Sequence, residues 1–135
     1  MMPYDKWGRG CLRVTSIAVC EDNEMERIVL MEQIKYWAKE RNAAIDLHGF
    51  ADGKSLLQAF EKHRYQIVFL DILMSEIDGI AAGRKIRELD CGTEIIFCTA
   101  SADFAIEAYE VHARDYLLKP YEKEQIQEVL DKYSE

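Results

Sequence analysis

From Arg13 onward, short β-branched or apolar runs alternate with longer segments whose apolar residues recur every three or four positions. That alternation is the sequence sign of βα units, in which each crossover helix returns the chain to begin a strand parallel to the last. Strands are expected at Val14 to Cys20, Ala44 to His48, Ile67 to Leu70, Glu94 to Cys98 and Asp115 to Leu118. The first, third and fourth are nearly continuous apolar runs, as strands covered on both faces must be; the second and fifth are mixed and belong nearer an edge. Helices are expected at Glu24 to Arg41, Gly53 to His63, Ile80 to Leu89, Asp103 to Val111 and Tyr121 to Tyr133. In the first, Leu30, Ile34 and Trp37 form a stripe that Ile28 and Met31 widen. In the last, Ile126, Val129, Leu130 and Tyr133 do the same, and Pro120 stands at its entry, where a missing N–H costs little. The pattern predicts an α/β fold: a doubly wound (βα)5, flavodoxin-like three-layer sandwich around a five-stranded parallel sheet. Residues 1–12, unpatterned and containing Gly8 and Gly10, read as a flexible lead-in to one domain over 13–135.

With 49% apolar residues, 135 positions suffice for one continuous core. No apolar run approaches the roughly 20 residues that span a bilayer, and the first residues carry no secretory pattern, so the expectation is a cytoplasmic protein without membrane contact. Cys11, Cys20, Cys91 and Cys98 lack paired metal-ligand spacing, and two of them sit in strand-like apolar runs, so reduced thiols are expected. A formal net charge of −8 argues against direct contact with nucleic acid, which draws its affinity from lysines and arginines replacing counterions. His48, His63 and His112 lie on separate predicted elements with no ligand spacing and read as surface or packing residues. Met31 and Met74 read as core filler.

Ligands of an open parallel sheet collect beyond the carboxyl ends of its strands. There the chain is acidic: Glu21 and Asp22 follow the first strand and Asp71 ends the third, while Thr99 ends the fourth and Lys119-Pro120 follows the fifth. If the first and third strands are neighbours, three carboxylates crowd one end of the sheet and repel one another unless a cation sits among them. Hard oxygen donors with room left for water suit Mg2+. The turn Glu21-Asp22-Asn23 has no glycine and carries negative charge, which excludes a phosphate pocket of backbone alone. A phosphoryl group therefore approaches through a metal, with Lys119 and Thr99 complementing its oxygens and Asp71 as the nucleophile that forms a mixed anhydride. Taken alone, Glu21-Asp22 reads first as a helix cap and Asp71 as a turn or cap residue; their company with Lys119 turns the reading to metal and phosphoacceptor.

Cys20-Glu21-Asp22, Phe69-Leu70-Asp71-Ile72-Leu73-Met74, Asp78-Gly79, Cys98-Thr99-Ala100 and Tyr116-Leu117-Leu118-Lys119-Pro120 resemble, in order and spacing, the signature positions of the response-regulator receiver domains of two-component systems. The resemblance implies the five-strand, five-helix fold, phosphoacceptor Asp71, and Mg2+ held by Asp22, Asp71 and the backbone carbonyl of Leu73, with Glu21 acting mostly through water. It further implies phosphoryl contacts from Thr99, Ala100 and Lys119, a switch pair of Thr99 and Tyr116, and a cis bond before Pro120. The stretch from Val111 to Pro120 resembles receivers joined to LytTR-type DNA-binding domains. Partners implied are a sensor histidine kinase, an output domain, and a second copy docking through the fourth helix, fifth strand and fifth helix. Two departures stand out: Ser75 where the family usually has proline, and Glu21 for the more usual aspartate.

An aspartate-nucleophile phosphohydrolase would need an acid two residues after the nucleophile, and that position is Leu73. A receiver-like binding module without phosphoryl chemistry would be expected to lack Asp22, Asp71 or Lys119, and all three are present. The expectation is thus a signalling switch and not an enzyme. Leu73 and Ser101, at the two positions where receivers tune hydrolysis, offer poor assistance to an attacking water, which predicts slow autodephosphorylation.

Overall fold

The computed structural model describes residues 14–133. The elements run β1 (Val14–Cys20), α1 (Glu24–Glu40), β2 (Ala44–Phe50), α2 (Gly53–Lys62), β3 (Ile67–Leu70), α3 (Gly79–Leu89), β4 (Glu94–Thr99), α4 (Ala105–Glu110), β5 (Asp115–Leu118) and α5 (Lys123–Tyr133). All strand pairs are parallel, in the order β2-β1-β3-β4-β5, so the two mixed strands are the edges and the three apolar ones the centre. The expected lead-in over 1–12 lies outside the described residues.

Because side chains alternate across a strand, each central strand feeds two cores. Ala18, Cys20, Val68, Leu70, Ile95 and Phe97 meet Leu56 and Phe60 of α2, Ile80 and Ile86 of α3 and Ala108 of α4. Ile17, Val19, Ile67, Phe69, Ile96 and Cys98 meet Leu30, Ile34 and Trp37 of α1 and Ile126, Val129 and Leu130 of α5. The expected three-layer sandwich results. Met31 and Met74 pack partly buried against these cores. Cys20 and Cys98 are buried free thiols; burial, with neighbouring carboxylates, pushes Cys20 up to about 12. Cys91 is free and exposed, and Cys11 lies outside the described residues. Among the described residues no helix is long and apolar enough to cross a membrane.

The helix starts differ from expectation at two places. Asp103 was expected to open the fourth helix. The helix starts two residues later, with Phe104 as a cap that makes no side-chain bond, and the Asp103 N–H donates to Ser101 Oγ at 3.1 Å in the turn before it. The first helix is capped by neither Glu21 nor Asp22: Asn23 accepts from the Glu26 N–H at 3.0 Å, leaving both carboxylates free for other work.

Candidate functional site

The register sets the site. β1 and β3 are neighbours, with Cys20 opposite Leu70, so the residues that follow them, Glu21 and Asp71, emerge side by side. The Asp71 N–H donates to the Cys20 carbonyl at 3.0 Å, and the Glu21 N–H to the Phe50 carbonyl at 3.0 Å. Across β4 and β5 the Lys119 N–H donates to the Thr99 carbonyl at 2.8 Å, bringing the ammonium over the same end of the sheet. The Lys119–Pro120 bond is cis, as the resemblance implied.

Glu21 and Asp71 are buried carboxylates, whereas Asp22 is exposed. One oxygen from each of the three lies within 4.8 Å of the others. Lys119 Nζ reaches Glu21 at 2.5 Å, Glu26 at 2.9 Å and Asp71 at 3.3 Å. Burial alone would lower this ammonium's pKa, but the hydrogen bonds to Glu21 and Glu26 and the charge of Asp71 outweigh it and raise it. Burial, with Asp71 close by, pushes the Glu21 carboxyl up to about 7 despite hydrogen bonds from Lys119 and Asn23. One ammonium thus leaves the carboxylate cluster under-neutralised, and its donors are hard oxygens with one exposed member. That donor set fits Mg2+, with water completing the shell through Asp22. The remaining Asp71 oxygen accepts from the Leu73 N–H at 3.3 Å.

The loop after Asp71 is held from the α3 side. Gly79 donates its N–H to the Ile72 carbonyl at 2.8 Å, and a Cβ on it would lie 2.1 Å from the Asp71 carbonyl oxygen. Only glycine permits that approach. Asp78 caps α3 by accepting from the Ala81 N–H at 2.8 Å. Within the loop Glu76 takes a positive φ of 66°. Ser75 is exposed, as is the Leu73 side chain.

Thr99 is fully buried, and its hydroxyl accepts from the Ser101 N–H at 3.3 Å. Ala100 is exposed beside it. Tyr116 is half-buried, packs near Phe97 and donates its hydroxyl to the Ser101 carbonyl, tying β5 to the segment that leads into α4. Glu21, Asp22, Asp71, Thr99, Ala100 and Lys119 therefore gather at one end of the sheet, with Tyr116 tied to the segment after Thr99.

Two features were missed. Glu26, read as an ordinary acidic residue of a helix start, is a third partner of Lys119; its signal was that the first turn of α1 rises beside the β1 end. Arg27, one residue on, donates to the Glu21 carbonyl at 2.8 Å. A correction is also needed for the histidines: His48 and His63 are not isolated but share the carboxylate of Asp46 at 2.9 and 3.0 Å. Strand β2 and the end of α2 bring them together, which no linear spacing reveals. His112 stands apart, exposed, with φ 55° in the turn after α4.

A family model described as the response regulator receiver domain matches residues 17–131. The chain belongs to that family. Among curated relatives of this receiver, the sensory transduction protein LytT of Oceanobacillus iheyensis is 34% identical over 80% of the chain and 43% of its own length. LytT of Bacillus anthracis is 33% identical over 87% of the chain and 46% of its own length. The transcriptional regulatory protein LytR of Staphylococcus aureus is 31% identical over 74% of the chain and 41% of its own length. These relatives place the receiver in the LytTR-associated subgroup, and it spans less than half of their length. Among solved structures, the response regulatory domain of mrkE from Klebsiella pneumoniae is similar at a TM-score of 0.79 and 28% identity, covering 88% of this chain and 94% of that one. The regulator TrrA of Thermotoga maritima, solved in complex with Mg(2+)-BeF, is similar at 0.75 and 26%, covering 88% and 98%.

Proposed function

We propose that this receiver is a phosphorylation-controlled switch: it accepts a phosphoryl group from a sensor histidine kinase onto Asp71, with Mg2+, and passes the change to an output domain or partner that regulates transcription. The observation that carries the reading is the buried Asp71 carboxylate at a strand end, flanked by Glu21 and Asp22 and reached by Lys119. Asp22, Asp71 and the Leu73 carbonyl would hold the metal, with Glu21 acting through water; the ion supplies charge neutralisation between carboxylate and phosphoryl oxygens. A carboxylate oxygen of Asp71 attacks phosphorus, the phosphorus–nitrogen bond to the donor imidazole breaks, and the electron pair leaves with that ring. Lys119, Thr99 and the Ala100 N–H would then meet the new oxygens. Related receivers support the metal: TrrA was solved with Mg(2+)-BeF.

Lys119 binding the phosphoryl oxygens weakens its hold on Glu21 and Glu26, and Thr99 moving toward them draws on the Ser101 segment to which Tyr116 is tied. The two states then differ at α4, which is where a population shift is read out. The exposed Ile106 and Tyr109 on α4 suit a second copy docking through α4, β5 and α5. LytT and LytR relatives favour an attached LytTR DNA-binding domain as output, in a cytoplasmic regulator whose receiver does not itself touch DNA. The domain turns over no substrate beyond its own phosphoryl group.

Incubation with acetyl phosphate and Mg2+ should add one phosphoryl group by intact mass, and none in Asp71→Asn or without metal. Addition that survives Asp71→Asn overturns the assignment. Loss of the group should be slow: the Leu73 side chain has no hydrogen bond to offer, and serine at 101 is short for reaching an attacking water. If neither Leu73→Asn nor Ser101→Glu hastens decay, these side chains do not limit the attacking water.

A further inference from the structure

Away from the acidic end, the outer edge of the sheet carries a second cluster. Asp46 and His48, two residues apart on β2, project to the same face, the one α2 covers. His63, the residue that ends α2, comes down onto them. His48 Nε2 lies 2.9 Å from one Asp46 oxygen and His63 Nε2 3.0 Å from the other. His63 Nε2 is also 2.9 Å from the Ser16 hydroxyl, on the strand position paired with Asp46. The imidazoles stack with centroids 5.2 Å apart. Asp46 is four residues short of the β2 end, so the cluster lies about 13 Å down the strand from the level of Cys20, the residue before Glu21.

We propose that Asp46, His48 and His63 form a binding site for a divalent transition metal of the zinc class, separate from the acidic site that suits Mg2+. One ligand atom from each residue lies within 4.8 Å of the other two. Metal–nitrogen and metal–oxygen distances of about 2 Å bring tetrahedral ligands to roughly 3.3 Å of one another, a closure of about 1.5 Å at most, within reach of side-chain rotation. Two imidazole nitrogens and one carboxylate are the donor set of a borderline-soft ion; Mg2+ and Ca2+ prefer all-oxygen shells. The three side chains are 41–43% exposed, which leaves the fourth position to water.

The surroundings are ordered as an outer shell orders a metal-binding imidazole. Tyr65 is buried, and its hydroxyl sits 2.6 Å from His48 Nδ1. With the proton of a neutral His48 ring on Nε2, facing Asp46, Nδ1 is left to accept from that phenol. With Nε2 bound to metal, the proton moves to Nδ1, which donates to the phenol oxygen, while the phenol hydrogen turns away. The ion takes the place of the imidazole N–H groups that now face the carboxylate, and would tie the end of α2 to the edge strand.

The test is titration of the chain carrying Cys11→Ser and Cys91→Ser, which removes the thiol outside the described residues and the exposed one among them, with Zn2+ and Co2+ in excess Mg2+. One equivalent should bind, Co2+ giving the visible bands of a four-coordinate ion, and the His48 and His63 Nε2 resonances should move while those of His112 do not. His48→Ala and His63→Ala should each weaken binding by about tenfold or more, and Asp71→Asn should leave it unchanged. His63→Gln, which keeps a hydrogen-bonding side chain, controls for folding. Binding that persists in the double histidine variant, that disappears in Asp71→Asn, or that does not occur overturns the site. Asp71→Asn phosphorylation assays are independent of this result, so each site stands or falls alone.

Discussion

Helices α1 and α4 start beside the same acidic end of the sheet and are held in opposite ways. α1 has 17 residues, a side-chain cap from Asn23, and Leu30, Ile34, Trp37 and Ala38 buried. It is also pinned to α5: Trp37 Nε1 donates to Asp131 at 2.8 Å, and Arg41 reaches both oxygens of the same carboxylate at 2.5 and 2.9 Å. α4 has six residues, no side-chain cap and one buried residue, Ala108, while Ile106 and Tyr109 face solvent at 75% and 81% exposure. A helix that short cannot persist by its own hydrogen bonds, because nucleation is costly. The contrast separates a frame from a more lightly held part: α4 is kept in place by Ala108 in the core, by Arg87 of α3 donating to the Val111 carbonyl at its end, and by the loop before it and the strand after it, where Thr99 and Tyr116 sit.

The largest expected effect tests the frame. Ile34→Ala removes a fully buried side chain from the α1 face and should lower unfolding free energy by about 2–5 kcal/mol in denaturant titration; a loss under 1 kcal/mol would mean α1 is no frame. Asp131→Ala should cost less, about 1–2 kcal/mol, by removing bonds to Trp37 and Arg41. The Asp131 carboxyl is held below its ordinary value chiefly by the Arg41 hydrogen bond. Its contribution is therefore present above the ordinary carboxylate range and is lost as pH falls through the depressed value, so wild type and Asp131→Ala should converge in acid. Tyr116→Phe removes the bond to the Ser101 carbonyl, worth about 1 kcal/mol, and should speed amide exchange in α4 by about fivefold while α1 is unchanged. Ile106→Ser should move stability by less than about 0.5 kcal/mol. A larger loss would place Ile106 against something other than solvent.

What the chain revealed in advance follows the range of the interactions involved. The run Ile67–Leu70 reads as a central strand because burial on both faces leaves no polar residue to interrupt it. Glu21, Asp22, Asp71, Thr99 and Lys119 were legible because a parallel sheet sends the end of every strand to one edge, so strand ends alone predict company. The start of α4 was not, since Asp103, which can cap or open a helix, lies in the turn before it, and Phe104, which caps without a side-chain bond, carries no sequence signal of a start. Glu26 was hidden because helix periodicity says which face a residue takes but not how far its side chain reaches along the axis. The pairing of His63 with Asp46 and His48 depends on where α2 ends over β2, and the Trp37–Asp131 contact joins residues 94 apart in sequence.

The grip of Lys119 on Glu21, Glu26 and Asp71 has a further consequence on the proposed reading. The ammonium is a tethered competitor: it occupies oxygens that a divalent cation needs, at an effective concentration no free amine could reach. Filling the acidic site therefore means partly displacing an internal ligand, and the observed affinity for Mg2+ is the intrinsic one reduced by that displacement. Affinity and signalling are then opposed at this one side chain. A neutral residue in place of Lys119 would leave a site that holds its ion more tightly and reads its phosphoryl group less well.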